Sequence, residues 1–248
     1  MSVKFVKDQA RDIRLMMELL LPQTENAMAR AREAGILEED LRRVRNTPST
    51  GEALEFFKRV SDARYQKDAH ILEEALSLYQ EAWDRVDSVF FAEVEKITGH
   101  AWQFSDFIVI VSLFHHGVSN SNENVVVRWA YEDAEDQIRI TAHEILMIQM
   151  WHIFDQHFPE AEKDPLGHFW ALNEITTVAV LGLEPTLNAL WTPTTSGFDH
   201  FLQNYPQLVE MKGLLKEAYE KRTSFLEYLY FAVKLLEQLY PNRSLESV

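Results

Sequence analysis

Ile140-Thr-Ala-His143-Glu144-Ile-Leu-Met147-Ile-Gln-Met-Trp-His152-Ile-Phe154 contains only five polar residues: Thr141, His143, Glu144, Gln149 and His152. At about 100° per residue, positions 143, 147, 150 and 154 form one helical stripe and 144, 148 and 151 the adjoining one. A helix apolar nearly all round is a buried helix. His143 and Glu144 are therefore expected in the core, where ionisable groups are costly unless partners neutralise them. The helix reads from Glu132 to Phe158. Acidic residues within 132–136 occupy its first turns, where the macrodipole favours them, and Pro159 stops it.

Upstream, Asp106-Phe-Ile-Val-Ile-Val-Ser-Leu-Phe114 is a compact β-branched and aromatic run, predicted to be a buried strand. A polar, turn-rich loop covers residues 115–124, and Val125 to Tyr131 reads as a second strand. Downstream, a second apolar helix is expected from His168 to about Leu181, carrying Asn173, Glu174 and Thr177, with Gly182 and Pro185 ending it. Phe198 to Leu239 reads as helical, interrupted at Pro206 and Gly213.

Residues 1–98 read as helical throughout. Apolar spacing predicts a helix from Val3 to Leu21 ended by Pro22, then another from Gln23 to Ala34 capped by Gly35. A charged, Arg-rich connection (38–46) and turn residues (47–51) follow. Residues 52–97 hold neither Gly nor Pro and fit one or two long amphipathic helices. Gly99 is a soft boundary between a helical N-terminal region (1–98) and the remainder (99–248). The expected fold is α+β and predominantly helical, with a small β element packed on the His143 helix.

The 248 residues are 46% apolar, with 15 Phe and 6 Trp, as expected of a folded chain. Asp and Glu outnumber Lys and Arg by 39 to 24, and a net charge of -15 argues against nucleic acid and anionic membrane surfaces. Cysteine is absent, which excludes disulfides, thiolate zinc sites and thiol nucleophiles. The N-terminus lacks a signal-peptide apolar region, and no run of about 18 apolar residues occurs. The expectation is a cytoplasmic protein without membrane segments. Gly-rich phosphate loops, a Gly-x-Ser-x-Gly elbow and Asp-rich calcium loops are all missing.

In the His-Glu-x-x-His arrangement, two His one turn apart hold a zinc ion and the intervening Glu handles the proton of a bound water. A third ligand comes from a later helix. This chain supplies His143, Glu144 and, further on, Glu174, but has Met147 at the second His position. A thioether is a soft, uncharged donor, poorly suited to zinc beside an imidazole and a carboxylate. His152, nine residues on, points to roughly the opposite side of the helix. The bland alternative for His143 and Glu144 is a hydrogen-bonded core pair, and for Glu174 a carboxylate bonded to Thr177 or another neighbour. His115-His116 fits a solvated loop pair, and Met147 and Met150 fit core fillers.

The order strand, polar loop, strand, His-Glu helix, then Asn173-Glu174 on a further helix resembles the zincin metallopeptidases, most closely the gluzincin branch, over roughly residues 105–190. The resemblance implies His143 and Glu174 as zinc ligands and Glu144 as general base. It also implies that Val125–Tyr131 is an edge strand along which an extended peptide aligns. With Met147 in place, the expectation is a zincin-like protein with impaired or lost zinc-dependent peptide hydrolysis, able to hold a peptide or protein segment. The alternative is a non-catalytic helical interaction module in which the His-Glu pair is structural. A third possibility is metal-free acid-base chemistry using His143, Glu144 and His152.

Overall fold

Asp106–Ser112 sits inside a four-stranded sheet. The computed structural model describes residues 1–22, 25–33, 35–46, 50–115, 118–119, 122–159, 168–191 and 209–239. The strands are β1 (Ser2–Val6), β2 (Asp106–Ser112), β3 (Val118–Ser119) and β4 (Val125–Trp129), in spatial order β1-β2-β4-β3. β1 and β2 are parallel with Phe5 opposite Val109, and β2 and β4 are parallel with Ile110 opposite Val127. β3 runs antiparallel to β4, Val118 opposite Val127. Period-two alternation sends Phe107, Val109 and Val111 into the main core and Ile110 to the other face. Burial on both faces explains why β2 is a nearly continuous apolar run.

Eleven helices surround this sheet among the described residues: α1 (Gln9–Leu20), α2 (Glu25–Glu33), α3 (Glu38–Arg45), α4 (Thr50–Lys67), α5 (Ala69–Asp84), α6 (Asp87–Thr98), α7 (Ala134–His157), α8 (His168–Leu183), α9 (Pro185–Asn188), α10 (Val209–Lys221) and α11 (Phe225–Leu239). The predominantly helical α+β class is therefore as expected. Leu15 of α1 covers Ile110 and Val127 on one face of the sheet. On the other face, α5 packs on β1, β2 and α7, and α7 carries the core onward to α8. α10 and α11 also pack against α8. One hydrophobic cluster runs from Val3 to Leu236, so residues before and after Gly99 share a core.

Local chemistry sets the ends of the elements that carry the site. Asp133 caps α7, its carboxylate accepting from the Glu135 N–H at 2.9 Å, with Glu135 and Asp136 in the first turn. Gly99 ends α6 at φ 70°, the left-handed conformation that a glycine adopts without a Cβ penalty. The exposed rim of β1 is closed by a side chain. Gln80 accepts from the Phe5 N–H and donates to the Val3 carbonyl, each at 3.1 Å, which occupies backbone groups that an unprotected edge would present.

Several expectations need correction. Ser2–Val6 is a strand, whereas the reading made everything from Val3 helical. Its burial alternates along Ser-Val-Lys-Phe-Val, a period-two signal too short to stand out beside the amphipathic α1. The Arg-rich connection contains α3, whose acidic first turn and basic last turn suit the helix dipole. Residues 52–97 form parts of three helices instead of one or two. The first break falls at Asp68, whose buried carboxylate accepts from the Tyr131 hydroxyl and pairs with Arg64, both at 2.7 Å. Gly213 lies within α10; the chain breaks instead between α10 and α11. Residues 198–208 lie outside the described ones. No described helix is long and apolar enough to cross a membrane.

Candidate functional site

α7 is 24 residues long, roughly 36 Å at the helical rise, and supplies His143 and Glu144 near its middle. α8 packs along it and supplies Asn173, Glu174 and Thr177. Across this seam His143 Nε2 stands 2.9 Å from Glu174 Oε2. The two residues placed together by the zincin-type reading thus do meet, 31 positions apart in sequence. They meet at the margin of the core: the side chains keep 20% and 12% exposure. Burial favours the neutral imidazole, but the hydrogen bond and charge of Glu174, with Glu144 assisting, outweigh it and hold the His143 pKa above its ordinary value; Arg139 opposes them. The contact therefore favours the protonated imidazole beside Glu174.

Glu144 faces elsewhere. Its Oε2 accepts from the Ser119 hydroxyl at 2.6 Å, which ties α7 to β3. Met147, one turn beyond His143, is 4% exposed. The Thr177 hydroxyl lies 3.4 Å from its sulfur and 3.3 Å from Asn173 Oδ1, sharing one proton between two acceptors. Asn173 Nδ2 donates to the Met147 carbonyl at 3.2 Å. The position that would bear a second imidazole is thus built into the α7–α8 seam as a packed thioether, consistent with the core-filler reading of Met147 and of the fully buried Met150.

Glu174 is bonded to a group on the neighbouring helix, His143, in place of Thr177, which turns to Asn173 and Met147. Other readings of polar residues change. His115 is buried (2% exposed), its Nε2 3.4 Å from the Asp12 carbonyl, so it is no solvated loop residue; His116 lies outside the described residues. His152 meets Gln156 at 2.8 Å, away from His143. β4 is not an edge strand: β2 covers one side of it and β3 the other at Val126 and Val127. A peptide aligned along β4 would have to displace β3 there.

Sequence reasoning missed Ser119 as the partner of Glu144, because a two-residue strand inside a polar loop has no periodicity. It missed the seam formed by Asn173 and Thr177 with Met147, although Asn173 and Thr177 stand one turn apart on one face. It also missed a buried network at the end of β2. Asp12 is 0% exposed and its Oδ2 accepts from the Tyr65 hydroxyl at 2.9 Å. Burial pushes the Asp12 carboxyl up to about 6, against hydrogen bonds from Ser112, Tyr65 and the Leu113 backbone.

A zinc site can be tested against these residues. Catalytic zinc normally has three protein ligands and an open position. One imidazole and one carboxylate converge, Glu144 is engaged by Ser119, and Met147 offers a thioether already packed against Thr177. Among the described residues no group of three or more His, Cys, Asp or Glu is placed to hold a metal ion. The donor set does not fit a catalytic zinc. Comparison with protein-family models, with characterised proteins and with solved structures returned no match.

Proposed function

We propose that this chain is a zincin-like protein of the gluzincin type that has lost zinc-dependent peptide hydrolysis and uses the surface around its His-Glu pair to hold a peptide or partner segment uncut. The observation that carries the reading is the 2.9 Å contact between His143 Nε2 and Glu174 Oε2. A cation shared by two such ligands is replaced by a proton on the imidazole, which neutralises the carboxylate directly. Glu144, the group that would handle the proton of an attacking water, is bonded to Ser119. What remains is an ion pair at a helix seam, next to the short β3, on a chain of net charge -15 that favours a basic segment.

Substitution of Met147 by His tests this origin. Met147→His should create a zinc site of one ion per chain, using His143, the new imidazole and Glu174. A variant that gains no metal and merely loses stability would show that the ligand geometry was never there. A second reading, a helical interaction module with a structural His-Glu pair, draws on the exposure of Leu214, Tyr230 and Phe231 on α10 and α11 (48%, 54% and 43%). That reading predicts the second outcome.

A further inference from the structure

We propose that His100 and His157 form an acid-operated latch: a hydrogen bond between two imidazoles ties the end of α7 to the connection between α6 and β2, and opens once both rings are charged. The latch lies outside the His143–Glu174 pair and does not rest on the function proposed above. His100 follows the left-handed turn at Gly99, and His157 is the last residue of α7. The two Nε2 atoms are 2.9 Å apart and the ring centroids 5.2 Å, so the rings point straight at each other along the N···N line. The contact joins segments 57 positions apart, and both rings are half-buried, within reach of protons from solvent.

A straight N···N bond holds one proton and no more. His100 Nδ1, 2.8 Å from the Thr98 carbonyl, must carry a proton, because a carbonyl only accepts. In the neutral ring its Nε2 is then an acceptor, and the His157 Nε2–H donates to it. A first added proton binds His157 Nδ1, on the far side of that ring, and leaves the bridge intact as a charge-assisted bond. A second has only an Nε2 to occupy. Both facing nitrogens then bear N–H groups, no lone pair remains between them, and two like charges oppose each other. Burial and the charge of His100 accordingly hold the His157 pKa below its ordinary value. The folded pair refuses a proton that the unfolded residues accept below about pH 6.5, so the latch is closed above that pH and is lost as pH falls. The groups packed around the pair bring no carboxylate onto it among the described residues. Tyr230 of α11 brings an aromatic ring, 6.4 Å from His157 and 5.0 Å from Phe158. Glu95 of α6 accepts from the Trp102 N–H at 3.4 Å, and Gln149 of α7 binds Ala101 and Gln103 without charge. On α7 itself Asp155 lies about 200° round the helix from His157, and His152 meets Gln156 at 2.8 Å.

Hydrogen exchange of the full chain between pH 7.5 and pH 4.5, corrected for intrinsic rates, tests the latch. The reporter is the last turn of α7, where the Phe158 N–H donates to the Phe154 carbonyl at 2.6 Å. Protection of residues 154–158 should fall by about tenfold or more below about pH 5.5, as local opening of a helix end requires. His100→Gln and His157→Gln each remove one of the two charges and should abolish this acid step. His143→Ala should leave it unchanged. Imidazole nitrogen shifts of the wild-type chain give a check that needs no variant: at pH 7.5 one Nε2 of the pair is protonated and the other bare, and at pH 4.5 both rings are fully protonated. Absence of an acid step in residues 154–158, a step that survives both Gln substitutions, or two rings that titrate independently at the ordinary histidine value would overturn the latch.

Discussion

The Thr177 hydroxyl lies 3.4 Å from the Met147 sulfur across the seam between α7 and α8, where the His-Glu-x-x-His pattern would have its second imidazole. Met147 there behaves as a core residue. Met147→Ala should cost about 2–5 kcal/mol, and the volume-conserving Met147→Leu less than about 1.5 kcal/mol. Urea denaturation measures both. Equal, negligible costs would mean that the thioether is not packed as described.

The His143–Glu174 pair makes stability pH-dependent in a defined direction. The folded-state pKa of His143 lies above the unfolded value of about 6.5, so the folded state binds the proton more tightly. The contribution is complete below about pH 6.5 and is lost as pH rises through the folded value. Glu174→Gln removes the carboxylate that sustains it and leaves burial to depress the imidazole. The variant should be less stable than wild type by about 1.5–3 kcal/mol at pH 5.5, with a smaller difference at pH 9. The His143 ring resonances should titrate at lower pH in the variant; an unchanged titration would place Glu174 out of contact.

Asp12 acts in the same sense, at lower pH. Its carboxyl titrates at about 6 when folded, against 3.8 as the model-compound value, so the folded state holds a proton that the unfolded state has released between these limits. Stability falls as pH rises from about 4 to about 6, by about 3 kcal/mol for a two-unit shift, and stays reduced above that. Asp12→Asn keeps an acceptor for the Tyr65 hydroxyl and carries no charge. It should flatten this part of the stability profile and be more stable than wild type at pH 8. A variant less stable at pH 8 would mean that the ionised carboxylate is well solvated or paired.

Gly99 ends α6 at φ 70°, and a Cβ added there would meet nothing within 4 Å. Gly99→Ala should therefore cost only the conformational term, about 1–2 kcal/mol. A much larger loss in thermal or urea unfolding would point to a packing role for this turn.

What could be read from the sequence divides along physical lines. α7, α8, β2 and β4 were legible because each carries its own periodicity, apolar all round for the two helices and β-branched for the strands. β1 was not, since its five residues gain stability by pairing with a strand about a hundred positions later. The break at Asp68 was hidden because no Gly or Pro marks it; a tertiary ion pair and the Tyr131 hydroxyl do. The meeting of His143 with Glu174 followed from the cost of burying both. The engagement of Glu144 by Ser119 and of His100 by His157 had no local signal, as each pair is joined only by the packing of distant elements.

Zinc titration of the wild-type chain against a competing chromogenic chelator, with His143→Ala alongside, weighs the central claim most directly. If a proton has taken the place of the metal between His143 and Glu174, the two proteins bind zinc identically and neither holds an ion at position 143. One zinc per wild-type chain, lost in His143→Ala and again in Glu174→Ala, would contradict the account.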